Sequence, residues 1–267
     1  MGCRLMNVKK CHEYILANYK DLTYEQMSRR TRMSPYKIRK FLNEQGLTKE
    51  KIYDKRFFEH IDTPEKAYYL GLIYADGCVQ EGKMIITLKS SDRAVLDRLA
   101  ELLGGAHQVR LQQTSGVLNG YEYNTEIAAL SICSQDFCKD LIAHGVVRRK
   151  TYEKEYPRCE NYFFDFLRGF LDGDGCIYTR EKEIQIIFTG SNYNFLRYIN
   201  AQIKKEYGTH GSLSSPERWR KRLCFSRRDE IITLLNRLYE DKNSPRIERK
   251  YKKFIDFLTA NNLEVVV

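Results

Sequence analysis

Apolar positions fall into short runs of two different periods along this chain. Over the first 47 residues they recur at helical spacing. Cys11–Tyr19 carries Tyr14, Ile15 and Leu16. Thr23 is placed to cap a short helix containing Tyr24, Met27 and Ser28. Thr31-Arg32-Met33 reads as a turn, and Ser34-Pro35 as the cap and first position of a third helix. In that helix Ile38, Phe41 and Leu42 repeat every three or four residues until Gly46 ends it. Residues 48–63 are charged, lose the period until Phe57-Phe58, and read as a linker.

From Pro64 onward one pattern occurs twice. Tyr69-Leu70-Gly71-Leu72-Ile73-Tyr74-Ala75-Asp76-Gly77 and Leu167-Arg168-Gly169-Phe170-Leu171-Asp172-Gly173-Asp174-Gly175 lie 98 residues apart. Each reads as a helix ending at Asp-Gly. The period then switches to two in hairpins with strands near Met84–Leu88 and Glu183–Phe188. Amphipathic helices follow over Asp92–Leu103 and Asn192–Tyr207. Second hairpins end in Ala128–Cys133 and Arg222–Ser226, and closing helices span Gln135–His144 and Asp229–Glu240. Ser91 and Ser191, Asp92 and Asn192, and Leu96 and Leu196 match at an offset of 100, so the first hairpin of the second copy gains two residues. The expected fold is α+β, a pair of αββαββα repeats over 64–157 and 158–267, behind a small all-α domain over 1–47. An internal duplication predicts pseudo-two-fold symmetry, which matches the backbone symmetry of duplex DNA.

Charge sharpens this picture. Net charge is +10 and the pI about 9.1, favouring a polyanionic partner such as nucleic acid. Residues 1–60 hold 14 Lys/Arg against 7 Asp/Glu, and residues 215–253 hold 13 against 6, while the middle is near balance. Tyr36, Lys37, Arg39 and Lys40 fall on the third helix. The first domain therefore reads either as a DNA-binding helix-turn-helix or as a bundle with a solvated basic face. Eight cysteines show no CxxC spacing and follow no signal peptide, which predicts reduced thiols in a cytosolic-type compartment rather than a zinc site or disulfide framework. Cys78 and Cys176 read as small buried residues entering strands. No apolar run approaches a membrane span.

The paired motifs carry the chemistry. Gly71 and Ala75 in one copy, and Gly169 and Gly173 in the other, set small residues four apart. A helical glycine costs about 1 kcal/mol relative to Ala, and close helix packing compensates. Packing the two helices together sets Asp76 and Asp174 side by side at negative helix ends, where ionisation is disfavoured. A divalent cation that prefers hard oxygen ligands, Mg²⁺, relieves that conflict and suits phosphodiester hydrolysis.

These two stretches resemble the motifs of LAGLIDADG homing endonucleases in their single-chain, two-repeat form, and the resemblance covers the chain from Pro64 onward. It implies saddle-shaped antiparallel sheets and a monomer that makes a metal-dependent double-strand break at a long DNA target, as a homing enzyme of a mobile element such as an intron, acting in the cytoplasm or in an organelle that encodes it. It makes Asp76 and Asp174 the catalytic metal ligands, sharing two or three divalent ions, with the carbonyls of Ala75 and Gly173 facing the metals. The sixth motif letter, often Asp in the family, is Tyr74 in the first copy and Asp172 in the second. Non-cleaving relatives, regulators or RNA maturases, form the alternative. An intein's endonuclease domain is not expected, since no splicing block or terminal His-Asn is present.

Outside the motifs, Val147-Arg148-Arg149-Lys150 matches Ile247-Glu248-Arg249-Lys250 at an offset of 100. Lys150 and Lys250 are candidates to stabilise developing charge or position solvent, or else to contact phosphates or a helix C-terminus. Arg227 and Arg228 align with Ser134 and Gln135, an asymmetry that points to DNA positioning. Curved sheets can read base edges in a major groove. Candidate groove-facing residues are Arg110, Gln112, Gln113, Tyr121 and Tyr123 in the first copy, and Arg218, Trp219, Arg220, Lys221 and Arg222 in the second.

Overall fold

A computed structural model describes residues 7–22, 24–47, 53–105, 107–118, 120–146, 156–215, 217 and 220–263. The chain divides into two compact units, Met1–Ile52 and Tyr53–Val267.

The first unit contains three helices, α1 (Val8–Asn18), α2 (Tyr24–Thr31) and α3 (Pro35–Glu44). Asn7 and Ser34 cap α1 and α3, accepting the backbone N–H of Lys10 and Lys37, and Pro35 occupies the first turn of α3. Ile15, Met27, Ile38 and Leu42 form its core, one or two from each helix, against Tyr14, Leu22 and Phe41. The turn between α2 and α3 is three residues long, and Arg32 reverses the chain there at φ 59°. Gly46 ends α3 at φ 68°, letting the Leu47 N–H reach the Leu42 carbonyl.

The second unit repeats one order of elements. The first copy runs α4 (Pro64–Asp76), β1 (Gly77–Gln80), β2 (Lys83–Lys89), α5 (Arg93–Leu102), β3 (Arg110–Leu118), β4 (Tyr121–Cys133) and α6 (Gln135–Ala143). The second runs α7 (Phe163–Asp174), β5 (Gly175–Arg180), β6 (Glu183–Gly190), α8 (Tyr193–Tyr207), β7 (Ser212–Leu213), β8 (Lys221–Phe225) and α9 (Arg228–Leu238). The two antiparallel sheets have the same strand order, β1-β2-β4-β3 and β5-β6-β8-β7. The gain in the second copy lies in its first hairpin, where β5 has six residues and β1 four.

Strand alternation sorts each sheet into two faces. Val79, Met84, Ile86, Leu88, Ala128, Leu130 and Ile132 are buried beneath the first sheet, and Ile177, Ile184, Ile186, Phe188, Leu223 and Phe225 beneath the second. The inner faces pack on α4 to α9 in one continuous core. Intervening residues form an outer face on each sheet.

Two features depart from the sequence expectation. Residues 53–63 belong to the second unit rather than to a linker; 48–52 lie outside the described residues. Phe57 and Phe58 are buried in its core, the Tyr53 hydroxyl donates to the Cys133 carbonyl at 3.1 Å, and His144 bonds the Phe58 carbonyl at 2.8 Å. Two adjacent phenylalanines can be excluded from water here because the first repeat offers an apolar seat, against Phe137. The second departure is an added helix, α10 (Glu248–Ala260), after the closing helix of the second copy. Its buried Phe254, Phe257 and Leu258 follow helical spacing and join the main core.

Candidate functional site

The motif helices α4 and α7 pack backbone to backbone at the centre of the second unit. Ala67–Tyr74 is buried without interruption, as is Phe166–Asp172, the signature of central helices. A methyl at Gly71 would collide with the Phe166 carbonyl, and one at Gly169 with the Tyr68 carbonyl. At Gly173 it would strike the Ala75 side chain. The small-residue pairs read from the sequence thus face each other, and Gly71 and Gly169 are each required by a backbone opposite. Gly77 and Gly175 have φ of −78° and −102°, so left-handed freedom is not their role. A side chain there would press on the helix just finished, 2.5 Å from the carbonyls of Ile73 and Leu171.

The close packing brings the Asp76 carboxylate to the end of α7, beside the residue before Asp174. The Asp76 carboxylate lies over Gly173, with Oδ2 3.2 Å from where a Cβ would project, and Asp174 is the next residue along α7. Both are exposed. Each ends its helix and leads directly into the first strand of its sheet, so the two carboxylates stand where the two outer faces begin. Cys78 and Cys176 follow on those outer faces and are exposed. The expectation of buried cysteines is therefore corrected: the alternation that buries Val79 and Ile177 turns their preceding neighbours outward. No described cysteine is in a disulfide.

Beneath Asp174 lies a charged network with no counterpart in α4. Asp172 is 1% exposed, and its Oδ2 accepts the Tyr68 hydroxyl and the Ile247 N–H, both at 2.8 Å. Its Oδ1 has no hydrogen-bond partner among the described residues. Burial raises its pKa to about 6, against the lowering pull of the Ile247 N–H, Lys250, Tyr68 and Arg168. Arg168, also buried, donates to the carbonyls of Leu238 (2.8 Å) and Pro245 (3.1 Å) and to Asp165 (2.8 Å). In α4 the matching positions are Leu70 and Tyr74, and the Tyr74 ring packs on Phe170 and Phe195.

Lys250, from α10, is 6% exposed. Its Nζ donates to the carbonyls of Leu171 (2.7 Å), Asp172 (2.6 Å), Gly173 (3.3 Å) and Gly175 (2.7 Å). An ammonium among the last carbonyls of a helix opposes the negative end of its dipole. Burial lowers the Lys250 pKa, while Asp172, Asp76 and Cys176 pull it upward. Of the two roles open to Lys250, the structure displays the helix-end cation. The neighbouring Arg249 reaches the first repeat, pairing with Asp92 at 2.8 Å. Lys150 lies outside the described residues. This network went unread in the sequence, although Arg168 and Asp172 inside an otherwise apolar motif helix were its signal.

The strand register places the groove-facing candidates. Arg110, Gln112, Tyr121 and Tyr123 share the outer face of the first sheet, opposite Ala129, Ile127, Leu118 and Gly116. The Tyr123 ring covers Gly116 on that face. Gln113 is corrected to the inner side, where it is paired with Glu126 and donates to it at 3.4 Å. In the second sheet Arg222 is on the outer face and Lys221 on the inner one, because Leu223, two along from Lys221, is buried. Arg220 is exposed in the connection before β8, and Arg218 and Trp219 lie outside the described residues. Arg227 precedes α9 in an ion pair with Glu230 (2.9 Å), and the Arg228 guanidinium lies 5.6 Å over the Phe257 ring. In the first unit Tyr36, Lys37, Arg39 and Lys40 are all exposed on α3.

Among the described residues no group of three or more His, Cys, Asp or Glu is placed to hold a metal ion. Two exposed carboxylates fit a different mode, in which Mg²⁺ takes one or two carboxylates and completes its shell with phosphate oxygens and water. No described helix is long and apolar enough to cross a membrane.

Duplicated αββαββα units whose central helices end in paired acids define a class of α+β proteins. Residues 63–109 match the family model of the LAGLIDADG-like domain. The meganuclease I-AabMI, solved bound to uncleaved DNA, superposes with a TM-score of 0.50 at 14% identity, covering 75% of this chain and 90% of that one. Full-length DUF199/WhiA from Thermatoga maritima gives 0.46 at 15% identity, covering 79% of this chain; the chain spans 66% of its length. I-GzeII in complex with its DNA target gives 0.47 at 11%, covering 74% and 90%. No curated protein matches the sequence. The chain carries a LAGLIDADG-like domain and has the fold of LAGLIDADG homing endonucleases.

Proposed function

We propose that this chain is a site-specific DNA endonuclease that makes a double-strand break by metal-dependent phosphodiester hydrolysis. The observation that carries this reading is the approach of Asp76 to Gly173, one residue from Asp174, at the exposed ends of two helices packed through glycine. Glycine in a helix and acids at its negative end both oppose stability; a cation-binding function accounts for both. Asp76 and Asp174 would hold Mg²⁺ between them and the DNA. A bound divalent ion polarises the phosphate and supplies a nucleophilic water near neutral pH. Lys250 acts as a positioning residue, fixing Gly173 and the end of α7 through the carbonyls it holds.

Duplex DNA lies along the outer faces, with Arg110, Gln112, Tyr121 and Tyr123 on one side and Arg222 and Arg220 on the other. The basic face of α3 adds phosphate contacts as a helix-turn-helix. Both acids come from one chain, so the active form is a monomer. The LAGLIDADG scaffold and two retained acids support a homing enzyme of a mobile element, working in a reducing compartment, the cytoplasm or an organelle. I-AabMI was solved with uncleaved DNA, which supports the same substrate here.

A second reading, binding without cutting, draws support from one observation: the Lys250 ammonium is engaged by four carbonyls rather than turned toward solvent. Incubating the protein with a plasmid pool carrying randomised inserts, in Mg²⁺, Ca²⁺ or EDTA, separates the two. Linear product in Mg²⁺ alone is the expected result. Retention of duplex with no cutting in Mg²⁺ or Mn²⁺ establishes the second reading instead.

A further inference from the structure

We propose that the DNA target is lopsided, extending about five base pairs farther under the first repeat than under the second, and that the end of the β3–β4 hairpin reads the extra segment. This rests on the duplex-binding reading above.

The asymmetry is one of length. Arg110–Cys133 spans 24 residues, whereas Ser212–Phe225 spans 14. Pairing of β2 with β4 stops at Lys89 opposite Ile127, and six further residues of β4, Tyr121–Glu126, continue with β3 alone. In the second sheet, β6 pairs with β8 up to Gly190 opposite Lys221, the first residue of β8. Ten fewer residues in the second hairpin shorten its reach by about five residues a side, or roughly 17 Å at 3.4 Å per residue. A base pair rises by about 3.4 Å, so the difference equals about five pairs.

The overhang has no core to build. Residues 121–126 are exposed on both faces, which makes the segment a poor contributor to folding and a suitable one for contact. Its two faces differ in charge. The outer face holds Thr114, Tyr121, Tyr123 and Thr125 and no acid, and it continues from Gln112 and Arg110 at the base of the hairpin. The inner face holds Glu122 and Glu126, opposite Val117 and Gln113. Phosphates are repelled from the inner face and admitted to the outer one, the same face on which Asp76 and Cys78 open. Tyr121 is 80% exposed, and Tyr123, 44% exposed, is held over Gly116. The hydroxyls of this face, with the Gln112 amide and the Arg110 guanidinium at its base, suit base edges and phosphates together.

The test selects bound duplexes from a randomised 40-base-pair pool using the full chain, then maps the hydroxyl-radical footprint on the selected duplex. Two variants are compared. In one, Asn-Gly replaces residues 115–124, joining Thr114 to Thr125, which already pair, through a two-residue turn. The other is Tyr121→Ala with Tyr123→Ala, which leaves the backbone intact. The inference expects the shortened variant to lose about four base pairs of protection at one end only. It expects the double-alanine variant to lose base preference at those same positions, with at least tenfold weaker discrimination there. Footprints unchanged in folded variants, or contracted at both ends, overturn the inference while duplex binding stands. Absence of any duplex selected by the parent chain overturns the underlying reading as well.

Discussion

Asp172 and Tyr74 occupy the same motif position in the two copies, yet their surroundings give them opposite characters. Tyr74 fills an aromatic cluster with Phe170 and Phe195. Asp172 ties α7 to α4 and to the start of α10 through one carboxylate oxygen, and burial raises its pKa to about 6. The sign of the consequence follows from linkage. A folded-state pKa above the unfolded value means the unfolded chain releases its proton first, so stability falls as pH rises from about 4 to about 6 and stays lower above. A tenfold change in proton affinity is worth about 1.4 kcal/mol, so the loss is on the order of 3 kcal/mol. In EDTA, the unfolding free energy of the parent chain should fall by that order relative to Asp172→Asn between pH 4 and 7, measured by urea titration. Parallel pH profiles would show that burial leaves the proton affinity of Asp172 unchanged.

Helix packing makes the strongest demand at the scale of elements. Gly71 and Gly169 face backbone carbonyls that cannot swing aside. Gly71→Ala and Gly169→Ala should each destabilise by about 3 kcal/mol or more, at or beyond the upper end for overpacked cores. Gly105→Ala, at φ 70° with open space around it, should cost only about 1 kcal/mol. Equal losses at the three positions, read from denaturant midpoints, would contradict the packing. Lys250→Met should cost about 3 kcal/mol or more, since it strips a buried ammonium from four carbonyls. The motif helices, their glycines and the cap of α3 were legible in the sequence because their determinants are local: Ser34-Pro35, the Asp-Gly endings and the switch from period 3.6 to period 2. The burial of Phe57 and Phe58, the docking of α10 and the carbonyl cage of Lys250 were not, because each depends on a surface formed by distant residues. The outer end of the β3–β4 hairpin escaped for another reason. A strand exposed on both faces carries no apolar alternation, so only its buried part, Ala128–Cys133, was legible.

At the scale of the whole molecule, residues 1–52 carry 12 Lys/Arg against 5 Asp/Glu in a unit with its own core. Removing them should leave the second unit folded, weaken duplex binding and flatten its salt dependence, because fewer counterions are then released. Unchanged affinity and slope between about 50 and 200 mM salt would assign the first unit another role. The two repeats share topology but differ in hairpin reach and in the charged network under α7, so they are related halves with unequal duties. Asp76 and Asp174 are the point where those halves meet. The most direct measurement of the central claim is strand-resolved cleavage of a selected duplex in Mg²⁺ by the parent chain, by Asp76→Asn and by Asp174→Asn, with binding measured in parallel. The account predicts a double-strand break by the parent chain and at least a hundredfold loss of that break in either variant, with duplex affinity within about threefold, the scale of a metal ligand lost from a catalytic centre. Full cutting by either variant, or firm binding by the parent chain without cutting in Mg²⁺, would contradict it.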